Sequence, residues 1–217
     1  MCNKACIDFG QKNLKDEDVR GKSVIEVGSF DLNGSLRPIV EAFCPISYIG
    51  VDLQMGPGVD QICDAHDILD RFGYDAFDLL ISTELLEHVK DWQKVISNFK
   101  HILKPNGVLL ITTRSKGFYY HDYPTDFWRY EISDMQTILS DFTIEVNEKD
   151  PIEPGIFIKA RKPNTFTENK ITNYQLYSII KDRHAKKITQ VDIYFFKLRS
   201  AIRQFLSQIL PIKKLQP

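Results

Sequence analysis

The chain has 217 residues, 43% hydrophobic and 12% aromatic, which suits one globular domain with an appendage and needs no cross-links to bury a core. No run of about 18 apolar residues occurs, so a membrane span is not expected; the opening Met1-Cys2-Asn3-Lys4-Ala5-Cys6 lacks a signal peptide's apolar centre, and four scattered cysteines fit a reducing, cytoplasmic address with no metal centre. The net charge of −1 hides an asymmetry: residues 161–217 hold 12 Lys and Arg against 3 Asp and Glu, the rest 16 against 26, and an acidic body argues against a nucleic-acid groove.

After an N-terminal helical segment over 1–20, Ser23-Val24-Ile25-Glu26-Val27 reads as a buried first strand closed by Gly28. Asn33-Gly34-Ser35 opens a helical stretch to Ala42. Tyr48-Ile49-Gly50-Val51-Asp52 is a second strand, ended by the turn signals Gly56-Pro57-Gly58, and 59–63 a third. Phe77-Asp78-Leu79-Leu80-Ile81-Ser82 makes a fourth. Asp91 caps a helix to His101, with Trp92, Val95, Ile96 and Phe99 on its apolar side. Lys104-Pro105-Asn106-Gly107 stops it, and 108–113 is a fifth strand. A helix over 131–139 and an antiparallel pair, 142–146 and 156–160, close the pattern. Strands alternating with helices imply right-handed crossovers and a parallel sheet. The expected fold is therefore α/β: a Rossmann-like, doubly wound, mostly parallel seven-stranded sheet with an antiparallel edge strand over 1–160. A polar linker over 161–173 then leads into a C-terminal helical extension. There Val191, Phe195, Leu198, Ile202, Phe205 and Ile209 form one apolar stripe, ended by Pro211.

In an open parallel sheet, ligands sit beyond the carboxyl ends of the strands, at the point where strand order reverses. Gly28 lets the backbone turn there with no Cβ in the way. A dinucleotide fingerprint would place glycine at 30 and 33, where this chain has Phe30 and Asn33, so a pyrophosphate is poorly served and a nicotinamide-dependent oxidoreductase becomes the rival reading. Asp52, 24 residues after Gly28, is placed to accept hydrogen bonds from both ribose hydroxyls, or else simply forms a turn.

Taken in order, 24–34, Asp52, Cys63-Asp64-Ala65, 77–89 and Leu103-Lys104-Pro105-Asn106-Gly107 resemble the motif series of class I S-adenosylmethionine-dependent methyltransferases of the ubiquinone/menaquinone-biosynthesis type, over about residues 20–160. The resemblance implies S-adenosylmethionine as cofactor. It would put Glu26, Gly28 and Ser29 by the methionine part, Asp52 on the ribose and Leu53 near the adenine. Asp64 would reach the adenine amino group and Ala65 the ring, with Thr83 and Glu84 below the sulfonium. The chain departs from the family at 30–33, where a tighter glycine-rich turn is usual.

The donor arrives activated, so the protein mainly aligns donor and acceptor, and a hydroxyl acceptor also benefits from a base. Ser82-Thr83-Glu84-Leu85 replaces the Asn/Asp-Pro-Pro-aromatic sequence of amide and adenine nitrogen methylation. Glu84 and His88 would share a helical face, whereas Glu87 and His88 would point apart and so make a poor metal pair. The segment 118–130 sets six or more aromatics around His121, Asp122, Asp126 and Arg129. Aromatic faces suit sugars or flat rings, and a His/Asp pair can deprotonate a hydroxyl. Phe127, Trp128 and Tyr130 would alternatively anchor a lid. The loop resembles that of small methyltransferases associated with surface-polysaccharide assembly, which implies a small hydroxylated acceptor such as a sugar or glycan precursor. The catalytic candidates are His121, Asp122 and His88. A scaffold that binds the cofactor without turnover is the third reading. The basic helix over 188–210 would pack on its own domain or a second copy, or lie on an anionic membrane, with nucleic-acid binding through Lys181, Arg183, Lys186 and Lys187 the third and least favoured reading.

Overall fold

The computed structural model describes residues 3–121 and 125–209; Met1, Cys2, Asp122, Tyr123, Pro124 and Pro211 lie outside the described residues, as does the side chain of Ile209. The chain opens with α1 (Lys4–Asn13), capped by the Asn3 side chain on the Cys6 amide, and α2 (Asp16–Val19). Then come β1 (Ser23–Val27), α3 (Arg37–Ala42), β2 (Ser47–Asp52), the short β3 (Gln61–Ile62), α4 (Ile68–Phe72) and β4 (Phe77–Thr83). A 3-10 turn at Leu86–His88 leads to α5 (Trp92–Ile102), whose Asp91 cap accepts from the Lys94 amide. The long β5 (Leu103–Arg114), β6 (Trp128–Arg129), α6 (Ile132–Ile138), β7 (Thr143–Lys149) and β8 (Gly155–Arg161) follow. β9 (Leu176–Ser178), β10 (Arg183–Ala185) and α7 (Gln190–Ile209) complete the chain.

Seven strands form one sheet in the order β3-β2-β1-β4-β5-β8-β7, parallel from β3 to β5. β8 runs antiparallel to both its neighbours, so the reversed strand lies one in from the edge. Both faces are buried, as the nearly continuous apolar runs of β1, β4 and β5 require. On one face Ile25, Val27, Leu80, Leu109 and Ile111 meet α5 residues Trp92, Val95 and Phe99. On the other, Val24, Leu79, Ile81 and Leu110 meet Phe9, Leu36 and Val40. The chain moves outward through β1, β2 and β3, then returns to place β4 on the other side of β1. That reversal opens a crevice above β1 and β4.

Four features depart from the sequence expectation. α4 was not expected, and β3 is two residues long where five were expected. The segment around Glu84 is no α-helix: Glu84 has φ 54°, and only the 3-10 turn at Leu86–His88 is helical. Beyond the linker, β10, β9 and β6 form a second, three-stranded antiparallel sheet, and Leu176, Ile180, Ala185 and Ile188 are buried in the main core. Strands of two or three residues are too short to show a period, and β6 in addition finds its partner β9 about 50 residues further along the chain.

Candidate functional site

A cavity of about 190 Å³ opens across the tips of β1, β2 and β4. Gly28 forms its inner wall at φ 82°, and a Cβ there would stand 3.1 Å from Leu85 Cβ, so both the backbone angle and the space call for glycine. The Gly28 and Ser29 amides both donate to the Val51 carbonyl, at 2.9 and 3.1 Å, which ties the turn after β1 to β2. Asp52 faces it from β2. Its carboxylate accepts from the Phe30 amide at 3.2 Å and the Leu53 amide at 2.7 Å, which orients the group and leaves lone pairs for a ligand.

At 30–33, where the sequence lacks the glycine-rich turn usual in the family it resembles, Phe30 lines the cavity and lies over Gly56, whose added Cβ would meet the ring at 2.0 Å. The Asp31 amide donates to the Pro57 carbonyl at 2.8 Å. The loop after β1 is thus held by the glycines of the loop after β2, a long-range pairing that sequence inspection missed.

Of the expected site residues, Gly28, Asp52, Leu53, Asp64, Ala65, Glu84 and His88 all line this cavity. Asp64 accepts from the His66 amide and lies 2.7 Å from His66 Nδ1; the amide and ring hold its carboxyl below the ordinary range against the opposing effect of burial. Glu26, Ser29 and Thr83 are buried outside the lining. Glu26 points to the opposite face of β1, where Tyr48 Oη donates to it at 2.5 Å and burial lifts its carboxyl to about 7. The period-two alternation of a strand explains this: Val27 and Ile25 face one side, Glu26 the other. Phe30, Leu32, Gln54, Cys63, His66, Leu85 and Val89 also line the space. Among these the apolar ones carry no sequence signal distinguishing them from core residues.

Glu84, just past β4, pairs with Arg114 at the end of β5, and Arg114 also reaches Asp150 at 3.4 Å and Glu153 at 3.2 Å. Burial, with Glu87 beside it, lifts the Glu84 carboxyl well above its usual value. Cys6 is buried here, accepting from Thr112 Oγ1 at 3.3 Å.

The segment after β5 is anchored by Asp126 and Arg129, both fully buried. Two Arg129 nitrogens contact the two Asp126 oxygens at 2.5 and 2.6 Å, while Arg129 also donates to the Phe118 and Tyr119 carbonyls. Asp126 is the carboxylate beside His121, its Oδ2 2.9 Å from Nδ1, and it also accepts from the His121 amide at 3.3 Å. The partner expected from the sequence, Asp122, lies outside the described residues. Phe127, Trp128 and Tyr130 are core anchors: Trp128 Nε1 donates to the Lys90 carbonyl and Tyr130 Oη to the Leu86 carbonyl, each at 3.2 Å. The His88 ring meets the His121 ring edge to face, with centroids 4.5 Å apart, joining the cavity to this segment. Burial holds His88 toward its neutral form.

Metal ligation was not expected, on the ground that Glu87 and His88 point apart. The 3-10 turn instead turns both toward His121, and the three offer one ligand atom each within 4.8 Å of one another. Glu87 is also engaged on one oxygen by Thr113 Oγ1 at 2.8 Å.

A doubly wound sheet of this order, with a glycine turn and a carboxylate on adjoining strand tips, defines a nucleoside-binding α/β enzyme. A family model described as a methyltransferase domain matches residues 3–146. The chain belongs to that family: it is a class I S-adenosylmethionine-dependent methyltransferase, with S-adenosylmethionine as cofactor. Solved structures share the fold. An S-adenosylmethionine-dependent methyltransferase from Mesorhizobium loti is 18% identical, with a TM-score of 0.56, 73% of this chain and 98% of that one being covered. The 1,6-didemethyltoxoflavin-N1-methyltransferase of Burkholderia thailandensis, with bound 1,6-didemethyltoxoflavin and S-adenosylhomocysteine, is 16% identical, covering 74% and 79%, with a TM-score of 0.61. The [4+2]-cyclase SpnF is 14% identical, covering 73% and 80%, with a TM-score of 0.56. A cyclase among these neighbours means that acceptor chemistry has to be argued from the site and not from the fold. No curated protein matches the sequence.

Proposed function

We propose that this enzyme methylates a hydroxyl group of a small acceptor such as a sugar or glycan precursor, with His121 as the base. The observation that carries this reading is the contact between His121 Nδ1 and the buried Asp126 carboxylate. Asp126, pinned by Arg129, sets its negative charge 2.9 Å from Nδ1, at an angle that makes no hydrogen bond with the ring as it stands; that charge favours the tautomer with hydrogen on Nδ1 and leaves Nε2 as the acceptor for a hydroxyl proton. The carboxylate also stabilises the imidazolium once the proton has moved. Tyr119, exposed and stacked on the buried Phe118 with centroids 4.5 Å apart, gives an aromatic face near His121 suited to a sugar ring.

The cavity fits the adenosyl group by its cradle at Gly28, which a Cβ would fill, and by Asp52. In this reading Asp52 accepts from the ribose hydroxyls, Leu53 covers the adenine, and Asp64 and Ala65 meet the ring edge. Glu84 and His88 line the end nearest the acceptor. The cofactor supplies an electrophilic methyl group on a sulfonium; the protein aligns, excludes water and takes up the proton. Helix α7, whose outer face is exposed, is the part of the chain available to a membrane surface or a second copy.

The test is transfer of labelled methyl groups to a panel of hydroxylated small molecules, with S-adenosylhomocysteine affinity measured in parallel. His121→Ala should lower turnover about 100-fold or more while leaving that affinity within about threefold. Equal loss of both would refute the base assignment.

A further inference from the structure

The outer face of α7 is left exposed by the rest of the described residues. Ile193 and Phe196 turn inward and pack on the core, Phe196 against Tyr120 with ring centroids 4.8 Å apart. On the opposite side Val191, Phe195, Leu198, Ile202, Phe205 and Leu206 recur at three- and four-residue spacings and leave 43 to 61% of their area exposed. Positions 193–206 carry Lys197, Arg199 and Arg203 and no acidic residue. At 100° per residue Arg199 and Arg203 fall along the margin of the stripe that borders the body, where Arg199 donates to the Ile180 carbonyl at 3.4 Å and both line a groove with Asp182, and Lys197 falls toward the other margin. Arg183, Lys186 and Lys187 add exposed positive charge from β10 and the turn after it. The single carboxylate near the helix start, Asp192, is taken up by Lys181 at 3.2 Å and by Thr189.

We infer that α7 docks this enzyme in the plane of an anionic lipid bilayer, with the stripe among the acyl chains and the flanking cations on lipid phosphates. The charge pattern selects this occupant. Two copies of the helix paired along the stripe would bring their cations together, with no carboxylate between 193 and 206 to offset them. An anionic headgroup layer meets both requirements, apolar depth and negative charge, in one surface. Docking would also hold residues 118–121 near the headgroups, because Phe196 touches Tyr120 and Tyr120 adjoins His121. The inference does not depend on which hydroxyl is methylated.

Co-sedimentation of the full chain with vesicles tests it, comparing phosphatidylcholine alone with a phosphatidylcholine/phosphatidylglycerol mixture. Binding to the mixed vesicles should exceed binding to phosphatidylcholine by about tenfold and weaken as salt rises to about 0.5 M. The Ile202→Ser/Phe205→Ser and Arg199→Glu/Arg203→Glu variants should each lose at least about tenfold in binding to the mixed vesicles. These side chains are exposed, so circular dichroism and S-adenosylhomocysteine affinity should not change. Absence of vesicle binding, or binding that neither variant weakens, overturns the inference. So does a concentration-dependent dimer, seen by ultracentrifugation and abolished by the serine variant without any vesicle binding, which would assign the stripe to a second copy.

Discussion

Glu26 lies fully buried on β1, away from the cavity, with Tyr48 as its hydrogen-bond donor. Burial raises its carboxyl from the ordinary 4.5 to about 7, outweighing Tyr48 and the more distant Arg37, which act the other way. The folded state therefore holds this proton more tightly than the unfolded chain does. The stabilisation is complete below pH 4.5, declines as pH rises toward 7, and is gone above it. The whole interval corresponds to about 3 kcal/mol, and about 2 to 3 kcal/mol of it falls between pH 5 and 8. Glu26→Gln keeps an oxygen to accept from Tyr48 and removes the titration. Urea unfolding at constant ionic strength, at pH 5, 6.5 and 8, should show the wild-type protein losing that amount relative to the variant. Glu84, which burial also lifts, is present in both proteins and cancels from the difference. Parallel stability curves across this range would refute the argument that desolvation dominates at Glu26.

Asp52→Ala should weaken S-adenosylhomocysteine binding by about 10- to 100-fold, the worth of hydrogen bonds to a charged acceptor, without changing the fold; calorimetry showing unchanged affinity would remove Asp52 from the ribose. Gly28→Ala meets both a left-handed backbone and Leu85 at 3.1 Å. It should lower Tm by about 2 to 8 °C, from about 1 to 2 kcal/mol of backbone strain, and narrow the cavity, read as a higher S-adenosylhomocysteine Kd. Asp126→Asn leaves Arg129 buried beside a neutral partner and should cost about 3 to 5 kcal/mol in chemical denaturation; a loss under about 1 kcal/mol would mean that the pair does not anchor the segment after β5.

The parallel sheet was legible because its strands are buried on both faces. Ser23–Val27 and Phe77–Thr83 needed only their own apolar runs and the turn residues after them. The cavity's first carboxylate was legible for a related reason: the tip of a parallel strand is a fixed place, so Asp52 could be located by counting, whereas Asp64 came only from the resemblance to a motif series. The stripe on α7 was equally plain, since helical periodicity is local. What sequence alone could not settle was every partnership made across space. Phe30 takes the place of glycine because Gly56 and Gly58 of another loop make room for it and its turn. Glu84 faces Arg114, and Glu87 and His88 converge on His121, because a left-handed residue and a 3-10 turn replace the expected helix. His121 takes Asp126 because Arg129 holds that carboxylate in the core. Local periodicity records which face of an element is apolar, and only packing decides which polar groups then meet, because those contacts form between residues far apart in the chain.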